Sequence, residues 1–65
     1  MQLRNLITFI HVAELGSFTK AAEQLGYSQS TISFQIKQLE EELECLLFER
    51  INHTITLTER GHELV

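Results

Sequence analysis

Apolar residues recur at helical spacing along the first part of this 65-residue chain and at a shorter spacing after it. Over residues 28–43, Ile32, Ile36, Leu39 and Leu43 follow one another at intervals of four, three and four, which places them on one face of an α-helix. That face belongs in a core. Gln29, Ser30, Ser33, Phe34 and Lys37 lie away from it, with no carboxylate among them, and the acids Glu40, Glu41 and Glu42 come only at the far end. Over residues 3–15, Leu3, Leu6, Ile7, Ile10 and Ala13 repeat at the same period, with Phe9 and Val12 widening the stripe, which predicts a first and largely buried helix. Gly16 suits a left-handed C-terminal cap and Ser17 an N-terminal one. Phe18, Ala21, Ala22 and Leu25 then make a short amphipathic helix with Thr19 and Lys20 outside its stripe. Gly26 closes that helix, Tyr27 fills the corner and Ser28 caps the long one.

Beyond Leu43 the period changes. Leu46, Leu47 and Phe48 form a short apolar run, and Ile55, Thr56 and Leu57 alternate with β-branched residues, which predicts a two-stranded hairpin with residues 51–54 as its tip. Thr58 can cap a further helix from Glu59, with Leu64 and Val65 beginning its apolar face. The expected fold is mainly α: a short helix, a tight turn and a longer helix after a first helix, followed by a hairpin. That order is a winged helix-turn-helix, whose second helix enters the major groove of DNA by its N-terminal residues. The hairpin is then a wing, lying against the DNA backbone or minor groove.

Composition narrows the alternatives. A chain of 65 residues supports one small core. No apolar run reaches the roughly 18 to 20 residues of a membrane span, so a soluble, cytoplasmic protein is expected. The single cysteine, Cys45, cannot form an internal disulfide and reads as a small packing residue. His11, His53, His62 and Cys45 fit no usual zinc spacing, so no metal is expected. Neither a nucleophile motif nor a glycine-rich phosphate loop is present, and no enzyme is expected.

The net charge of −4 argues against a nucleic-acid binder until its distribution is considered. Residues 1–39 carry +1, and residues 40–65 carry −5. The acidity is segregated away from the leading turns of the long helix, whose dipole favours an anion at that end. A protein-interaction module built on the same helices is the rival reading. Salt separates the two, because DNA affinity falls with a log–log slope of about −0.9 per phosphate contact while an apolar interface changes little.

The segments GSFT, AAEQL, SQS, QIKQLE, LFER and LTERG, in this order across nearly the whole chain, closely resemble the N-terminal DNA-binding domain of LysR-type transcriptional regulators of bacteria. The resemblance implies a winged helix-turn-helix over residues 1–57 and the start of a linker helix over residues 58–65, as one piece of a longer regulator. It implies that Gln29, Ser30, Ser33 and Phe34 meet base edges, and that Thr19, Lys20, Ser28, Thr31, Lys37 and Arg50 lie near phosphates. Asn52 and His53 would stand at the wing and minor groove. Glutamine pairing with adenine and hydroxyls near phosphates are chemically apt. The expected partners are double-stranded DNA and a second copy of the chain, paired through the linker helix as a dimer or tetramer. No cofactor is expected in these residues, and a small-molecule effector is expected on a further domain.

Four positions depart from the family pattern. Phe34 stands where arginine is usual, so a thymine methyl, and hence an A·T step, replaces guanine as the expected contact. Ser30 replaces a common proline. Glu44 replaces a common glycine, which costs roughly 1 kcal/mol in a left-handed cap unless the helix ends differently. His53 replaces a minor-groove arginine, so binding is expected to strengthen below about pH 6.5.

Overall fold

The computed structural model describes residues 2–51 and 54–65, and in it the helix ends fall where the capping chemistry places them. Helix α1 (Leu3–Leu15) closes on Gly16 at φ 64°, whose N–H donates to the Val12 carbonyl. The Ser17 hydroxyl accepts the Lys20 N–H at 3.2 Å and opens α2 (Phe18–Leu25). Gly26, at φ 76°, ends α2, and Tyr27 N–H donates back to the Ala22 carbonyl at 2.9 Å. Ser28 then accepts the Thr31 N–H and opens α3 (Gln29–Leu43). Two glycines and two serines thus set the angles between three helices.

Helix α3 ends on a non-glycine residue. Glu44 takes φ 56°, and the Cys45 N–H reaches the Glu40 carbonyl at 3.1 Å while the Glu44 N–H donates to Glu41. This pair of bonds is a Schellman closure, so the left-handed cap is kept without glycine. The Glu40 side chain then accepts the Leu47 N–H at 2.8 Å and ties the end of α3 to the start of the hairpin.

Strands β1 (Phe48–Ile51) and β2 (Thr54–Leu57) pair antiparallel from Phe48 with Leu57 to Ile51 with Thr54. The expected tip at residues 51–54 is therefore too wide. Ile51 and Thr54 belong to the ladder, as β-branched residues suit a pleated surface. Asn52 and His53, the expected wing contacts, lie outside the described residues. Thr58 donates to the Leu46 carbonyl at 2.6 Å, accepts the Gly61 N–H and opens α4 (Glu59–Leu64).

The core is Phe9, Val12, Ala21, Ala22, Ile32, Ile36, Leu39 and Leu47, with Leu6, Leu15, Phe18, Leu25, Leu43, Cys45, Phe48 and Leu57 packed around it. Helix α1 meets this core by a different face from the one expected. Its buried line is Asn5, Thr8, Phe9 and Val12, whereas Leu3, Ile7 and Ile10 are exposed. The helix carries apolar residues on two sides, and α3 selects the side that also bears Asn5 and Thr8. Asn5 Nδ2 donates to Gln38 Oε1 at 3.0 Å, and the Thr8 hydroxyl donates to Gln35 Oε1 at 2.5 Å. The Asn5 Nδ2 and the Thr8 hydroxyl find partners on the facing helix, which makes their burial tolerable, while Asn5 Oδ1 is buried without a hydrogen-bond partner among the described residues.

Candidate nucleic-acid interface

The exposed side of α3 is an arc of side chains with different capacities. At about 100° per residue, Gln29 and Phe34 lie roughly 140° apart around the helix, with Ser33, Lys37 and Ser30 between them. Gln29, Ser30, Phe34 and Lys37 are exposed and Ser33 is half-buried, while Ile32, Ile36 and Leu39 hold the opposite side in the core. Phe34 leaves 63% of its surface open. An aromatic ring so exposed on an otherwise polar arc offers an apolar contact without closing any gap in the core.

An open cleft runs along each flank of this arc. On the hairpin side a concavity of about 290 Å³ is lined by Gly16, Ser17, Phe18, Thr19, Gln29, Arg50 and Ile55. It continues into a hollow that includes Ser33, Lys37, Glu40 and Arg50. Arg50 is positioned by packing, since its guanidinium carbon stands 5.4 Å from the centroid of the Phe18 ring. That ring meets Phe48 edge-on at 5.9 Å, and Phe48 meets the buried Phe9 at 5.3 Å. Three aromatic rings thus carry the position of a wing cation back to α1. Cation–π contact of this kind contributes about 0.5–1 kcal/mol at an exposed site, enough to bias a flexible side chain.

On the other flank a second concavity of about 290 Å³ is lined by Gln2, Arg4, Asn5, Thr31, Phe34, Gln35 and Gln38. The structure therefore divides the residues expected near phosphates. Thr19, Lys37 and Arg50 gather on the hairpin side, and Thr31 stands on the α1 side. The Ser28 hydroxyl is occupied with capping, and it lies 3.1 Å from Ser30 Oγ and 2.9 Å from Thr31 Oγ1. Lys20 is exposed on α2 and lines neither cleft. Among the described residues, neither of the two 290 Å³ clefts is lined by a carboxylate, while the hollow that continues the hairpin-side one includes Glu40.

Sequence reasoning passed over Arg4, Gln2 and Gln38 on the α1 flank, and Gly16 and Ser17 on the other. Their only signal in the chain is type, not spacing, because the helix they face is 24 or more residues away from Gln2 to Asn5 or packs after an intervening turn. Among the described residues, no group of three His, Cys, Asp or Glu side chains is placed to hold a metal ion. His11 instead donates from Nδ1 to the Ile7 carbonyl at 2.9 Å, a bond within its own helix. Among the described residues, no helix is long and apolar enough to cross a membrane.

Comparison with known proteins agrees with this geometry. Residues 3–62 match the family model described as bacterial regulatory helix-turn-helix protein, lysR family. The chain is 52% identical over 64 residues to the HTH-type transcriptional activator IlvY of Salmonella typhimurium, covering 98% of this chain and 22% of that one. Its fold superposes on the crystal structure of the BenM_DBD/catB site 1 DNA complex with a TM-score of 0.93 and 45% identity, over 98% of this chain and 71% of that one. The CbnR_DBD–DNA complex gives a TM-score of 0.91 and 43% identity, over 97% and 72%. The chain thus spans about a fifth of the length of the curated relatives it matches.

Proposed function

This chain belongs to the LysR family of bacterial regulatory helix-turn-helix proteins, and we propose that it binds double-stranded DNA sequence-specifically as the winged helix-turn-helix of a transcriptional regulator. The carrying observation is the exposed arc of α3, polar and free of carboxylates from Gln29 to Lys37, set on a helix whose other side is locked into the core. Two similar folds, BenM_DBD and CbnR_DBD, form complexes with DNA, which supports the same use here. Helix α3 enters the major groove by its first turns. Gln29, Ser30, Ser33 and Phe34 face base edges, and Thr19, Lys20, Ser28, Thr31, Lys37 and Arg50 face the backbone. The hairpin lies toward the minor groove, where Asn52 and His53 are the proposed contacts.

Residues 1–57 form the binding domain in this reading, and α4 begins a helix through which two copies pair. Leu64 and Val65 are 37% and 66% exposed, apolar surface that such pairing would cover. The role is that of a cytoplasmic binder and not of an enzyme. The small-molecule effector acts on a domain outside these residues.

Selection of the chain on random duplex DNA, with binding followed across a salt series, tests the reading. A short recovered motif and a log–log salt slope of several units are expected, at about −0.9 per phosphate. The base pair opposite Phe34 is expected to be A·T, and Phe34→Arg to move the preference to G·C, since a bidentate arginine–guanine pair discriminates by about 1–3 kcal/mol. Absence of salt-sensitive binding from two copies joined through α4 would overturn the assignment.

A further inference from the structure

The two clefts beside α3 are alike in chemistry and opposite in position. Each holds one guanidinium, from Arg50 on the hairpin side and from Arg4 on the α1 side, together with uncharged polar side chains and no carboxylate. Gln29 lines the first cleft and Phe34 the second, so the arc assigned to base edges stands between them. A helix about 10–12 Å across fills a major groove about 12 Å wide. The backbone phosphates of both strands then flank it.

We propose that Arg4 is a second backbone anchor, binding a phosphate of the strand opposite to the one held by Arg50. The inference rests on the DNA-binding reading above and adds a site to it. The α1-side cleft is equipped for an anion. Gln35 and Gln38 spend their side-chain oxygens on Thr8 and Asn5, so the groups left to them are NH2 donors. The Thr31 hydroxyl and the Gln2 amide stand in the same cleft. Arg4 supplies the charge in a fork suited to phosphate oxygens. Helix α1 thereby has two functions on its first turns: Asn5 and Thr8 brace α3 from within, and Arg4 grips the DNA that α3 reads.

The geometry separates the two anchors by strand, and strand is measurable. The probe is a duplex recovered in the random-DNA selection, with its phosphates ethylated one at a time. For the parent chain, ethylation on either strand beside the α3 footprint is expected to impair binding. Arg4→Gln is expected to lose that sensitivity on one strand alone and Arg50→Gln on the other. Each variant is expected to flatten the log–log salt slope by about 0.9. Each also weakens binding to specific and non-specific duplexes alike, as removal of a phosphate contact does. Arg4 is exposed on the helix surface, and equal thermal melting of parent and Arg4→Gln confirms that folding is not the cause.

An unchanged slope for Arg4→Gln with the parent still binding overturns the second anchor and leaves the DNA reading standing. Loss of interference on the same strand in both variants overturns the opposed arrangement. A parent chain that binds no duplex at any salt removes the function and the anchor together.

Discussion

Glu44 holds a conformation that L side chains adopt at a cost, with φ 56°, and it is the one non-glycine residue with positive φ among those described. The closure survives because the Schellman hydrogen bonds to Glu40 and Glu41 and the tie from Glu40 to Leu47 over-determine it. The strain is nonetheless present in the folded state. Glu44→Gly is therefore expected to raise stability by about 1 kcal/mol, read as a higher urea midpoint at unchanged slope. Removing an acid from the C-terminal end of a helix acts in the same direction. A lower midpoint would mean that glycine's extra freedom in the unfolded chain outweighs the strain. Phe34 illustrates the opposite kind of residue. It contributes little to the core, being 63% exposed, and in the proposed DNA-binding reading its value lies in what an apolar ring excludes at the base edges.

Helix α1 shows how an element is oriented by its partner. The Asn5–Gln38 and Thr8–Gln35 bonds are directional, the first part-buried and the second buried, so they fix the rotation of α3 about its axis more narrowly than methyl contacts would. Thr8→Val leaves the Gln35 amide oxygen buried without its donor and is expected to cost about 1–3 kcal/mol in thermal or chemical unfolding. Adding Gln35→Leu removes the orphaned group, and stability is expected to return to within about 1 kcal/mol of the parent. The ratio of specific to non-specific DNA affinity is expected to fall in the double variant, because α3 then loses its polar register. Full retention of that ratio would show that apolar packing alone aims the helix. The hairpin is oriented by a comparable long-range device, the ring series from Phe9 through Phe48 to Phe18 beneath Arg50.

Over the whole molecule, a small core leaves little margin, and which apolar residues belong to it decides stability. Phe9 is fully buried whereas Ile7 is 42% exposed. Phe9→Ala is expected to cost about 3–5 kcal/mol, a large part of the 5–15 kcal/mol typical of a folded domain. Ile7→Lys is expected to change stability by no more than about 0.5 kcal/mol, and comparable losses in calorimetry from the two variants would contradict the placement of α1. Charge is arranged on the same scale. The net −4 is compatible with a polyanionic partner because the α3 arc and both 290 Å³ clefts are without carboxylates. Much of this was legible in the chain. Gly16, Ser17, Gly26, Ser28 and Thr58 mark helix boundaries that the structure reproduces, because a cap is a bond between neighbours three to five residues apart. The exposed arc of α3 was legible for the same reason, since helical period alone places Ser30, Phe34 and Lys37 on the side opposite Leu39. The inward face of α1 was not. Both of its sides carry apolar residues, Phe9 and Val12 beside the polar Asn5 and Thr8 on one and Leu3, Ile7 and Ile10 on the other, and only the arrival of Gln35 and Gln38, 27 to 33 residues along the chain, decides which is buried. Nor could the chain show that Arg4 and Arg50 flank one helix. Local hydrogen bonding is written in adjacent residues, but burial and the pairing of distant side chains are competitions between whole surfaces, and those are settled only when the surfaces meet.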